Sequence, residues 1–231
     1  MGKIILIDGI DGCGKSTQVQ MLVDHLKSLG KNVVTKHFPN YESDSSAPVR
    51  MYLNGELGDD TNPIATALMF AVDRYITFKR ELKSLYNDPN TYIILDRWTL
   101  TTQIYQSIQL KDWMGNPEHF IHLIYTIEHS LLMLPEPSIT IILNIDADFA
   151  SNLILERAKA KGIEKDIHEK DTDFLKLCAE NYRLRAVKDR NTTMITVTYN
   201  DDNNCIKMRT PEDIHSEIVK SISHILIDKE K

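Results

Sequence analysis

The sequence predicts an α/β fold, a five-stranded parallel sheet with helices on both faces. Two observations carry this. Five apolar, β-branched segments alternate with amphipathic stretches of helical length, and the residues suited to chemistry follow the carboxyl ends of those segments, where sheets of this kind place their ligands. The predicted strands are Lys3–Asp8, Asn32–His37, Tyr92–Asp96, Ile139–Ile145 and Met194–Thr198.

Directly after the first strand comes Gly9-Ile10-Asp11-Gly12-Cys13-Gly14-Lys15-Ser16, then Thr17, which fits G-x-x-x-x-G-K-[ST]. The glycines let backbone N–H groups turn inward around an anion, Lys15 can reach β- and γ-phosphates, and the Ser16 hydroxyl can bind the Mg²⁺ that accompanies them. A helix is expected to follow, because Val19, Leu22, Val23, Leu26 and Leu29 recur at helical spacing until Gly30 offers a stop. A glycine-rich turn without chemistry would not need this strand, loop and helix context. The pattern implies a nucleoside triphosphate site.

Further helix starts are Asn62-Pro63, opening a helix through Phe70 and Arg74 to about Leu85, and Thr210-Pro211, followed by the inward stripe Ile214, Ile218, Ile222 and Ile225. No Pro/Gly/Ser-rich linker divides the 231 residues, so a single domain spanning 1–231 is expected. The net charge of −6, from 33 acidic and 27 basic residues, gives no basic face and argues against nucleic acid as a partner. Cys13, Cys178 and Cys205 are odd in number and lack metal-ligand spacing. With no apolar run of membrane length and no signal segment, a reduced cytoplasmic protein without membrane attachment is expected.

Asp96-Arg97 follows the third strand, so a carboxylate and a guanidinium emerge together near the phosphate loop. That position suits a ligand for Mg²⁺ or its water beside a clamp on a phosphoryl oxygen, although alone it would read as a strand-terminal ion pair. Phe70 and Arg74 are four residues apart and share a helix face, a ring and a fork that can serve one nucleotide. Arg157, Lys159, Lys161 and Lys165 follow the fourth strand. The loop holds no cation besides Lys15, and phosphoryl transfer needs positive charge at the developing equatorial oxygens, so a catalytic lid over about 157–171 is expected to supply it.

Several stretches together resemble thymidylate kinases. They are Asp8 through Thr17, Phe38-Pro39-Asn40-Tyr41, Phe70-Ala71-Val72-Asp73-Arg74, Asp96-Arg97-Trp98, Leu134-Pro135-Glu136-Pro137, Asp166-Ile167-His168-Glu169-Lys170-Asp171 and Met208-Arg209-Thr210. They occur in the family's order over nearly the whole chain. The resemblance implies a phosphate-loop nucleotide kinase with a lid, transferring the γ-phosphoryl group of ATP to dTMP with Mg²⁺ as cofactor. It assigns Gly9 to Thr17 to ATP, Ser16 and Asp96 to the metal, and catalysis to Lys15, Arg97, Arg157 and Asp11. Asp11 would accept the 3′-hydroxyl, Phe70 would stack on thymine, Arg74 would bind the dTMP phosphate and approach the base, and Arg97 would bridge the two phosphates. Tyr41 would close over the acceptor, with Thr101, Thr102, Tyr105 and Gln106 lining the thymidine site and Gln103 a further candidate. A homodimer packed through the helix bearing Phe70 is implied as well.

Trp98 stands where tyrosine or histidine is more usual in that family, and Asn144 where the fourth strand often carries aspartate. Competing readings are a kinase for another nucleoside monophosphate or a deoxynucleoside, and a GTPase-like switch. Asp112-Trp113-Met114-Gly115 satisfies D-x-x-G, but no N-K-x-D motif accompanies it.

Overall fold

The computed structural model describes residues 1–110, 116–161 and 171–226. Among them, five strands form one parallel sheet in the order β2-β3-β1-β4-β5. The strands are β1 (Lys3–Asp8), β2 (Asn32–His37), β3 (Thr91–Asp96), β4 (Ile139–Asn144) and β5 (Thr192–Thr196). Strand β1 is central. The chain leaves it toward the β2 edge and later crosses to β4 on its other side, which opens a crevice at its carboxyl end.

Side chains alternate across a strand, and β1 shows why both faces must be covered. Ile5 and Ile7 join a core with Leu22 and Leu26 of α1 (Lys15–Ser28) and with Ile214, Ile218 and Ile222, whereas Ile4 and Leu6 join Phe38, Phe78 and Trp98 on the opposite face. Burial of both faces accounts for the continuous apolar runs read from the sequence. Helix α2 covers Ala47–Leu53, and Gly30, with φ +72°, follows α1 as the stop signal requires. Helix α3 (Pro63–Thr77) starts on an Asn62 side chain that accepts from the N–H groups of Ile64 (2.8 Å) and Ala65 (3.3 Å). The expected continuation to Leu85 is present with a change of pitch, a π-helical stretch at Phe78–Leu82 leading into α4 (Lys83–Tyr86).

Helices α5 (Thr99–Gln109) and α6 (Pro117–Tyr125) follow β3, and α7 (Ala147–Lys161) and α8 (Thr172–Lys188) lie between β4 and β5. The D-x-x-G stretch at Asp112–Gly115 lies outside the described residues, as do residues 162–170 of the expected lid. The fifth strand starts earlier than the sequence reading placed it and ends at Thr196. Thr198–Asn200 (β6) instead pairs antiparallel with Ile206–Met208 (β7). The turn chemistry decides this: the Asp201 carboxylate accepts from the N–H groups of Asn203 (3.0 Å) and Cys205 (2.8 Å), and Asn204 adopts φ +59°. Helix α9 (Pro211–Leu226) closes the described chain on the expected isoleucine stripe.

Gly9 is the tightest point between loop and sheet. Its φ is +140°, and a Cβ there would lie 2.5 Å from the Leu143 carbonyl oxygen of β4. The Gly9→Ala variant is expected to lose about 1–3 kcal/mol, which for a domain of this size lowers Tm by about 5 °C. Thermal unfolding followed by circular dichroism checks this, and an unchanged Tm would contradict the close packing described.

Candidate active site

The register of the sheet assembles the site. In the β1·β3 ladder Ile7 lies opposite Asp96, so the phosphate loop and the Asp96-Arg97 pair emerge side by side. Between them opens a cavity of about 550 Å³, bounded on its other sides by α3, α5, α7 and the Phe38-Pro39-Tyr41 segment. Asp11, Gly12, Gly14, Lys15, Ser16 and Thr17 of the loop line it, with Tyr41, Phe70, Arg74, Asp96, Arg97, Thr101, Thr102, Tyr105, Gln106 and Arg157. Gly9, Ile10 and Cys13 are buried behind the loop and do not line the cavity, and neither does Gln103.

The loop turns into α1 through Gly14, whose φ of +90° a side chain would disfavour. Lys15 Nζ is held under the loop, donating to the carbonyl oxygens of Gly9 (3.1 Å) and Ile10 (2.9 Å), and lies 3.8 Å from Asp11 Oδ1. Ser16 Oγ reaches Asp96 Oδ2 at 3.4 Å. The second oxygen, Asp96 Oδ1, is buried and has no hydrogen-bond partner. Burial, the largest influence on the Asp96 carboxyl, raises it, but the bond from His37 and the charges of Lys15 and Arg97 together hold it below the ordinary carboxylate value. An ionised buried carboxylate with one idle oxygen needs a cationic or hydrogen-bonding partner there.

Arg97 adopts φ +68°, rare for a residue with a side chain. It pairs with Asp11 and lies over the Tyr105 ring, 5.7 Å from its centroid. Burial pushes the Asp11 carboxyl up, yet the charges of Arg97 and Lys15 outweigh it and, with a smaller contribution from Arg157, hold it well below the ordinary value. Asp11 Oδ2 is more loosely engaged, 3.5 Å from the Tyr105 hydroxyl.

At the other end of the cavity, Phe70 packs edge-on to Tyr52 with centroids 6.4 Å apart. Arg74, one turn on, is 2% exposed and forms a bidentate pair with Glu128, Nε to Oε2 at 2.7 Å and Nη2 to Oε1 at 2.8 Å. Glu128 is fully buried, in the π-helical turn Thr126–Leu131 after α6. The Nε/Nη2 edge of the Arg74 fork is thus occupied by a carboxylate, and the hydrogens of Nη1 and the second hydrogen of Nη2 remain for another partner. Gln106 Oε1, beside the cavity, is buried without a partner.

Thr101 lines the cavity, but its hydroxyl donates to Asp8 (2.9 and 2.8 Å), as do Tyr182 (2.7 Å) and the Gly9 N–H (2.8 Å). Burial dominates at Asp8 and raises its carboxyl despite the charge of Arg97. The sequence reading missed Asp8 and Tyr182 as loop supports, Glu128 altogether, and His37, whose Nδ1 lies 3.2 Å from Asp96 Oδ2 and whose ring stacks on Tyr41. His37 was hidden by its place as the last residue of a strand, and Glu128 carries no local motif. Trp98 is fully buried, donating from Nε1 to the Pro135 carbonyl (3.1 Å), and Asn144 Oδ1 accepts from Arg183 (2.9 Å).

The thymidylate kinase family model matches residues 7–210. The chain belongs to the thymidylate kinase family. It is 31% identical over 217 residues to a probable thymidylate kinase of Methanosphaera stadtmanae, covering 94% of this chain and 97% of that one. A thymidylate kinase of Plasmodium falciparum is 28% identical over 233 residues, covering 100% and 94%. In fold the chain is similar to a solved Candida albicans thymidylate kinase, with a TM-score of 0.70 at 21% identity over 99% of this chain and 96% of that one. Family membership carries the activity of an ATP-dependent dTMP kinase, a phosphotransferase, and sets aside the switch reading.

Because Asp11 is held below its ordinary pKa in the fold, it stabilises the protein above that ordinary value, and the contribution fades as pH falls through the folded value. Asp11→Asn is therefore expected to be less stable than the parent at pH 7 and to converge on it in strong acid. Urea unfolding from pH 7 downward checks this, and a constant difference would contradict the Arg97 pairing.

Proposed function

We propose that the cavity holds dTMP with its base between Phe70 and α5 and its phosphate at the Arg97 end, facing the γ-phosphoryl group of ATP on the phosphate loop. The observation that carries this is the distribution of charge. Arg74 and Glu128 form a pair sealed from solvent, whereas Arg97 and Asp11 form a partly exposed pair that meets Lys15 and Asp96 at the carboxyl ends of β1 and β3. In this orientation a donor of Arg74 meets a carbonyl of thymine, and the idle Gln106 Oε1 accepts from the ring N–H. Tyr41 closes over the acceptor, and Thr102 and Tyr105 wall the sugar.

The phosphate dianion of dTMP is itself the nucleophile. One of its oxygens forms a bond to the γ-phosphorus as the bridging bond to the β-phosphate breaks, releasing ADP. Lys15 exchanges its loop carbonyls for phosphate oxygens. Arg97 bridges donor and acceptor without moving its backbone, while Asp11 orients it and accepts the 3′-hydroxyl on its loosely engaged oxygen. Arg157, at the cavity wall, closes with the lid over the transferring group. Mg²⁺ fits the idle Asp96 Oδ1 and the Ser16 hydroxyl and would neutralise charge between the phosphates. Its remaining ligands would be phosphate oxygens and water, since the described residues contain no cluster of three or more His, Cys, Asp or Glu able to hold a metal.

One nucleotide-kinase domain with its lid, assembled as a homodimer in the cytoplasm, completes this reading. Leu68 (40% exposed) and Val72 (49%) support the homodimer as an outward apolar face on α3, one turn apart. The free Cys13, Cys178 and Cys205 support a reducing compartment, and among the described residues no helix is long and apolar enough to cross a membrane.

A coupled assay with ATP and a panel of dTMP, dUMP, UMP, CMP and thymidine tests the acceptor. dTMP is expected to be best, and dUMP weaker by about 1–3 kcal/mol in kcat/KM, the worth of one methyl in an apolar pocket. Thymidine turned over faster than dTMP would overturn the reading. In single-turnover experiments Arg157→Ala is expected to slow transfer by about 10²–10³-fold, because a planar fork contacts two phosphoryl oxygens where Lys161 or Lys165 offers a point charge. A lysine variant that loses the chemistry while Arg157→Ala keeps it would move the role to that lysine.

A further inference from the structure

The Arg74–Glu128 pair contacts neither phosphate in the reading above, and its burial calls for another purpose. A fully buried ion pair is often no more stabilising than apolar residues of the same volume, because desolvation of both groups offsets their attraction. Folding stability is thus a weak reason for it. Its position is more informative: Arg74 lines the cavity, and Glu128 stands behind it, outside the lining. A guanidinium has five N–H donors and no acceptor. Two of Arg74's nitrogens are committed to Glu128 at 2.7 and 2.8 Å, which fixes the plane of the group and leaves hydrogens of its outer edge for the cavity.

Two consequences follow from charge and geometry. Without its carboxylate, a buried arginine at this end would attract the acceptor's phosphate dianion away from Arg97. With it, the end presents a directed donor with no net charge. A ring stacked on Phe70 then meets this donor one helical turn along α3, in the cavity that the idle acceptor of Gln106 also borders. A pyrimidine with a 4-carbonyl beside a ring N–H matches that order of donor and acceptor. A pyrimidine with a 4-amino group beside a bare ring nitrogen opposes it at both places.

We infer that Glu128 is a positioning residue that sets acceptor choice: by locking and neutralising Arg74 it makes the arginine a reader of the pyrimidine 4-carbonyl and excludes 4-amino pyrimidine nucleotides. This rests on the base orientation proposed above.

The test compares kcat/KM for dTMP and dCMP in the parent enzyme, Glu128→Gln and the paired Arg74→Met/Glu128→Met variant, with inorganic phosphate as a competitor of dTMP. The parent is expected to prefer dTMP by at least about 100-fold. In Glu128→Gln the dTMP:dCMP ratio is expected to fall at least about tenfold, more through KM than through kcat, with phosphate becoming a stronger competitor as Arg74 loses its counter-charge. The paired apolar variant fills the same space without a buried charge. It is expected to fold as the parent does and to lose the preference, which tests the reading by Arg74. If Glu128→Gln does not fold, Glu128→Asp, which keeps the charge on a stem too short to hold both nitrogens in place, decides for Glu128 by a fallen dTMP:dCMP ratio. A dTMP:dCMP ratio that stays at the parent's value in a folded variant would overturn the role of Glu128 while leaving the acceptor assignment intact. A parent enzyme that does not prefer dTMP to dCMP would instead overturn the base orientation on which it rests.

Discussion

The parallel pairing of β1 with β3, which sets Ile7 opposite Asp96, is the constraint on which the rest of the site depends. It brings the phosphate loop and the Asp96-Arg97 corner to one edge of the sheet although Ser16 and Asp96 are 80 residues apart in sequence. The chain then accepts two unfavourable backbone states at that edge, Gly9 against the Leu143 carbonyl and Arg97 at φ +68°. Such conformations persist only where the surroundings overdetermine them, and they gather where function needs a fixed geometry. Here the surroundings are the Asp8 network, which ties the Gly9 N–H to Thr101 on α5 and Tyr182 on α8.

Arginine is distributed along the cavity in two differently balanced states. Arg97 and Asp11 form a partly exposed pair that can loosen toward anionic ligands, 13% and 20% exposed, whereas Arg74 and Glu128 are sealed at 2% and 0%. In the proposed reading the same side chain serves charge recognition at one end and directional hydrogen bonding at the other. A bidentate geometry that lysine cannot reproduce makes both uses available.

Much of this was legible in the sequence, for identifiable reasons. Strands β1, β3 and β4 were readable because both faces of a central parallel strand are buried, β2 at the sheet edge only through its short Val33-Val34 run, and α3 because Asn62-Pro63 is a capping signal that the structure realises. The phosphate loop was readable because backbone geometry demands its glycines at fixed spacing. Glu128 was not, because a buried counter-ion needs no particular neighbours in sequence. It lies 54 residues from Arg74 and is brought to it only by the packing of the elements after α6. The β6–β7 hairpin was missed because its signal is a side-chain turn at Asp201 within a polar stretch, and hydrophobic periodicity does not report such turns.

The proposed function divides the cavity into a base end at Phe70, Arg74 and Gln106 and a phosphate end at Arg97. The most direct measurement is a crystal structure of the protein with dTMP bound. Thymine is expected to stack on Phe70, with its 4-carbonyl within hydrogen-bond distance of an Arg74 still clasped by Glu128 and the phosphate at Arg97. A dTMP phosphate bound to Arg74, with the Glu128 pair broken, would contradict it.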